Sequence, residues 1–166
     1  MRRIIGIDPG LRHTGWAVIE AEGNNRKYIA SGVIHPNVKE TLPNRLLEIF
    51  DGLQKVAREF GPTQAAIEIT FVNENPTTTL LLGHARAAAI TALATAGLCV
   101  AEYEPTLVKK AIVGTGRADK EQIAKMVSIL MPLAKPKTSD EADALAIALT
   151  HANTSDILTH CHSRAD

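Results

Sequence analysis

The chain has 166 residues, 45% hydrophobic and 22% charged, with 18 basic and 18 acidic side chains. That length suits a single domain with a substantial core. Zero net charge removes the usual indicator of a nucleic-acid partner without excluding one, because a site can be basic while the remaining surface is acidic. The N-terminal apolar run stops at Asp8, and the later run "TTTLLLGHARAAAITALATAG" is broken by His84 and Arg86. Neither fits a signal peptide or a bilayer span, so a soluble, cytoplasmic protein with no membrane partner is expected. Cys99 and Cys161 have no metal-type spacing and read as reduced thiols.

In chain order, "RRIIGID", "TGWAVIE" (Thr14–Glu20) and "RKYIASGVIHP" (Arg26–Pro36) are β-branched, apolar strand patterns. The Gly/Asn turn in "AEGNN" joins the second and third as a hairpin, so an antiparallel meander is expected. "LPNRLLEIFDGLQKVAREFG" then switches to helical spacing and stops at Gly61-Pro62. "QAAIEI" (Gln64–Ile69) is a short buried strand, Thr77–Ala96 an Ala/Leu-rich helix, and "LCVAEY" (Leu98–Tyr103) a fifth strand. Helices follow over Thr106–Val113, Asp119–Met131 and Ser139 to about Asn153. Strands separated by helices require parallel crossovers, so the expectation is a mixed α/β layer fold. One domain over 1–153 is expected, with 154–166 a mobile tail that takes in the histidine-rich end; His151 is grouped with that solvated end.

Four acids fall at informative places. Asp8 ends the first strand before Pro-Gly, where a simple Asp-Pro-Gly turn is the plain alternative. Glu68 interrupts the apolar run of the fourth strand, where an unpaired carboxylate is costly unless it faces solvent. Thr138 and Glu141 have capping-box spacing, so the last helix should start near Ser139. Asp140 then lies in the first turn, where acids also suit the helix dipole. Asp143 shares its face three residues on and borders the apolar stretch Ala144–Leu149. Oxygen ligands of this type suit Mg²⁺, which is held by a few carboxylates and keeps several waters. Two such ions roughly 3.5–4 Å apart activate water and stabilise the leaving oxygen in phosphodiester hydrolysis.

The blocks "IGIDPGLRHTGWAVIE", "AIEITFV", "LGHARA", "VKKAIVGTGRADKEQIAKMV" and "SDEADALAIALTH" resemble, in order and spacing, the RuvC family of Holliday junction resolvases. The resemblance runs from Arg3 to about His151. It implies an RNase H-like fold, a five-stranded mixed sheet flanked by helices, acting as a homodimer. It also implies Asp8, Glu68, Asp140 and Asp143 as catalytic and metal-binding acids, with Mg²⁺, two ions per subunit, and Mn²⁺ as a substitute. The implied substrate is the four-way DNA junction, nicked symmetrically on opposing strands during recombination and repair, beside a branch-migration helicase complex. Phe71 fills a family aromatic position, and an exposed ring there would stack on an unpaired base, worth about 1–3 kcal/mol. Lys109 and Lys120 match basic family positions near the scissile phosphate, with Lys120 supporting catalysis. Lys110 and Arg117 extend that DNA-binding cluster around Gly114–Gly116. The residue after Glu68 is apolar, a departure from the usual family pattern. Rival readings are a ribosomal-RNA-processing nuclease of related type, an actin-like ATP-binding fold, and a junction binder without catalysis.

Overall fold

The first three segments pair as an antiparallel meander in the computed structural model, which describes residues 1–69 and 75–154. These strands are β1 (Arg2–Asp8), β2 (Thr14–Glu22) and β3 (Asn25–Ile34). β4 (Gln64–Glu68) and β5 (Val100–Tyr103) join parallel on the other side of β1, giving the order β3-β2-β1-β4-β5. The crossovers that parallel pairing demands are α1 (Leu42–Phe60) and α2 (Pro76–Thr95). Among the described residues three more helices follow, α3 (Pro105–Val113), α4 (Lys120–Leu130) and α5 (Ser139–Thr154). The mixed α/β layer fold expected from the sequence pattern forms, and so does the five-stranded mixed sheet flanked by helices that the family resemblance implies.

Side chains alternate across a strand, so each strand feeds two cores. Ile5, Ile7, Val18, Ala65 and Ile67 face α1 and α2, meeting Ile49, Leu53, Ala85, Ala89 and Leu93. Ile4, Ala17, Ile19 and Ala66 face the other way, against α5, with α3 and α4 closing the layer through Val108, Ile112, Ile123 and Val127. α5 is buried almost all round. Its alanines and two sheet glycines let its backbone lie on the strands. A Cβ at Gly6 would stand 2.3 Å from the Ala144 carbonyl oxygen, and one at Gly15 would stand 2.2 Å from that of Asp140. Only hydrogen fits at either position.

Several expectations are corrected. Thr138 caps α5 through its hydroxyl, which accepts from the Glu141 N–H, but the Glu141 carboxylate accepts from Ser31 at 2.7 Å. That bond ties α5 to β3 and buries Glu141, so the predicted capping box is used from one side. His151 is 5% exposed, inside α5, with its Nδ1 2.8 Å from the Tyr103 hydroxyl; it belongs to the core and not to a solvated end. Cys161, His160, His162 and the rest of 155–166 lie outside the described residues. Among the described residues no helix is long and apolar enough to cross a membrane.

Candidate active site

β1 and β4 run parallel in the register Ile7↔Ile67, so one step further Asp8 and Glu68 end adjacent strands side by side. Alternation puts both on the face that carries Ile4, Gly6 and Ala66, the face that receives α5. There the N-terminal turns of α5 bring Asp143 over the strand ends. Asp8, Glu68, Asp143, Lys109 and Lys120 line one cavity of about 270 Å³. Asp140 opens beside it, in a cavity of about 550 Å³ shared with Asp8, the loop Pro9–His13 and Arg45. Asp8 therefore borders both cavities and is the hinge of the arrangement. The loop after it is held by the Thr14 hydroxyl, which donates to the Gly10 carbonyl at 2.7 Å, and by Arg45, which donates to the Leu11 carbonyl at 2.7 Å. No turn forms at Asp8-Pro9-Gly10 itself, where Gly10 has no positive φ: the chain leaves β1 after Asp8 and bends at Leu11–Arg12.

Electrostatics single out the same group. The Asp8 carboxyl is pushed up to about 8, first by burial, then by Asp143, Glu68 and Asp140, against the pull of Lys120. Glu68 is raised to about 6 by burial and then by Asp143, with Lys120 and Lys109 opposing. Burial also raises Asp143, whose Oδ2 is 3.6 Å from the Lys120 Nζ. Among the described residues no three His, Cys, Asp or Glu side chains close around a point that would hold a metal ion. The donors are nonetheless all hard oxygens, forced together at a cost that a divalent cation would relieve. An open carboxylate set suits Mg²⁺, which fills its remaining positions with water.

The structure thus brings together Asp8, Glu68, Asp143, Lys109 and Lys120, with Asp140 on the adjoining side. Lys110 and Arg117 are exposed and line neither cavity. Phe71 lies outside the described residues. One contributor was not singled out from the sequence as a site residue. Arg86 of α2 donates from Nε to the Glu68 carbonyl at 3.3 Å, and its guanidinium pairs with Glu102 on β5. It stitches the end of β4 to its neighbours directly behind an acid of the site. Its signal was the block "LGHARA", a charge inside an otherwise apolar helix.

Residues 4–151 match the family profile described as Crossover junction endodeoxyribonuclease RuvC. The chain belongs to the RuvC family. A RuvC crossover junction endodeoxyribonuclease of Rhodopseudomonas palustris (strain BisB18) is 56% identical over 151 residues, covering 91% of this chain and 86% of that protein. The solved Thermus thermophilus RuvC structure superposes with a TM-score of 0.83 at 34% identity, over 93% of this chain and 95% of that one. T. thermophilus RuvC in complex with a Holliday junction substrate gives 0.84 at 34% identity, over 92% and 93%. The RuvC fold is RNase H-like, as the resemblance implied, and the chain is a nuclease of that family.

Proposed function

We propose that the protein is a structure-specific DNA endonuclease that resolves four-way junctions by Mg²⁺-dependent phosphodiester hydrolysis, one nick on each of two opposing strands. The observation that carries this reading is the convergence of Asp8, Glu68 and Asp143 in one cavity beside Lys109 and Lys120, with Asp140 adjoining. Asp8, Glu68 and Asp143 would hold the metal, two ions per subunit, and Asp140 would ligate or orient the attacking water. When bound, such a cation polarises the scissile phosphate and makes water a nucleophile near neutral pH. Lys120, supported by Lys109, offsets negative charge that builds on the phosphoryl oxygens. Lys110, Arg117 and Phe71 engage DNA away from the reacting phosphate, the two cations through phosphates and the ring by stacking. Mn²⁺ is the expected substitute metal.

Paired nicks need two sites related by a two-fold axis, which a homodimer supplies. α2 offers the surface, since Leu80 is 65% exposed and Gly83, Ala87 and Ala94 lie open along the helix. Small residues there allow close approach of a second copy. Cytoplasmic DNA and a branch-migration helicase complex complete the proposed setting. The deciding experiment incubates the protein with a labelled synthetic four-way junction and with linear duplex, with and without Mg²⁺. Metal-dependent, symmetric nicks confined to the junction are expected. Absent cleavage in Mg²⁺, or equal cutting of linear duplex, contradicts the proposal.

A further inference from the structure

Residues 105–139 hold seven Lys or Arg against two acids, a net of +5, in a chain whose formal net charge is zero. The basic charge is segregated into α3, α4 and the segment before α5, and the catalytic cavity uses only part of it. α4 starts in that cavity at Lys120. Further along, Lys125 and Ser128 form one wall of a separate cavity of about 570 Å³. Lys135 and Lys137, from the segment between α4 and α5, line it as well, with Thr138 and Ser139. No acid lines it. Among the described residues Lys125, Lys135 and Lys137 form no ion pair. Three ammonium groups and the neighbouring hydroxyls around an open cavity form a surface for a chain of phosphates.

We propose that this cavity binds the sugar-phosphate backbone of the same DNA, beyond the reacting phosphate. The inference rests on the nuclease reading above. Lys120 and Ser128 are eight residues apart, about 12 Å along a helix at 1.5 Å per residue. That equals about three to four base steps at 3.4 Å per step. Lys125 lies about 140° round α4 from Lys120, so a strand with its scissile phosphate at Asp8 and Lys120 reaches Lys125, Lys135 and Lys137 by crossing α4 over that length. These phosphate-binding groups read no bases, so they fix position and supply affinity without choosing the sequence. They also account for how a neutral chain concentrates enough positive charge to hold DNA.

The test is the salt dependence of junction binding, measured without divalent metal so that nothing is cut. The triple variant Lys125→Gln, Lys135→Gln, Lys137→Gln leaves three phosphates without a cationic partner. Its slope of log K against log salt should be shallower by about 2.7, at about 0.9 for each phosphate no longer neutralised. Its cleavage in Mg²⁺ at limiting protein should fall in step with its junction affinity. A control variant, Lys39→Gln with Lys55→Gln, removes exposed charge near and on α1 and should leave the slope unchanged. An unchanged slope in the triple variant, or an equal change in the control, overturns this inference while the parent's cleavage leaves the nuclease reading standing. A parent that neither binds nor cuts the junction overturns both.

Discussion

Gly15 is the register partner of Asp8 across the antiparallel β1–β2 pair, and a Cβ placed on it would stand 2.2 Å from the Asp140 carbonyl oxygen. One missing side chain thus sets the distance between the central acid of the sheet and the helix that brings the remaining two.

Gly15→Ala should therefore act on chemistry as well as on stability. The methyl group must push the start of α5 off the sheet, and overpacking of this kind costs about 1–3 kcal/mol. A shift on the order of 1 Å at Asp140 and Asp143 should lower junction cleavage about 10²-fold. Thermal melts and single-turnover cleavage check the two effects; a variant that melts early but cuts at the parental rate would contradict the link.

Asp8→Asn should abolish cleavage, by at least about 10³-fold, with junction binding retained. It should also stabilise the metal-free protein at high pH. The folded Asp8 carboxyl sits near 8 against an ordinary 3.8, so the parent fold holds a proton that the unfolded chain gives up. Stability from that proton is complete below about pH 4 and is lost as pH rises through 8. The melting-temperature gap in favour of the variant should widen from pH 5 to pH 9.

Metal uptake should release protons. Below pH 8 the metal-free site holds a proton on Asp8, and near pH 6 a second one is shared with Glu68. Mg²⁺ affinity should rise up to about tenfold per pH unit between 6 and 8. Calorimetry in buffers of different ionisation enthalpy should give heats that track the buffer; heats independent of buffer would contradict the assignment.

Arg86→Gln should loosen the end of β4. With the bond to the Glu68 carbonyl and the pair with Glu102 both gone, Glu68 loses its anchor while its own chemistry is untouched. Apparent Mg²⁺ affinity in cleavage should weaken about tenfold, the scale seen when support behind a metal ligand is removed. Raising Mg²⁺ should restore the rate, which a misfolded variant would not show.

His151 predicts acid sensitivity away from the site. Burial, then Arg2, hold its imidazole down to about 4. The folded protein keeps it neutral, so its contribution is present above about pH 6.5 and is lost as pH falls to 4. That amounts to roughly 3 kcal/mol in all. His151→Phe should flatten the urea midpoint across this window, at a fixed cost of about 1 kcal/mol for the missing Tyr103 bond.

The strands and helices were legible because each follows a single periodicity over its length: the meander, α1 and α4 differ from expectation by a residue or two at their ends. The convergence of Asp8, Glu68 and Asp143 in one cavity was foreshadowed too, since Asp8 ends a strand, Glu68 breaks an apolar run and Asp143 borders one. What local sequence does not carry is depth. The acid Glu141 reads as one half of a cap, but its carboxylate is taken by Ser31, 110 positions away. His151 looked like part of a polar end, and only the packing of Tyr103 against α5 buries it. Gly6 and Gly15 carry no local signal of their role, because the helix lying on them comes from a distant segment of the chain. Arg86 stood in plain sight inside a motif, but its partners Glu68 and Glu102 are set by strand pairing.

The order of the elements along the chain has a consequence for its making. β1 and β4 leave the ribosome with Asp8 and Glu68 before α5, which carries the third acid of the cavity. A chain that stops before α5 lacks Asp140 and Asp143. On the proposed reading, competence to break DNA waits for α5 to dock on the sheet.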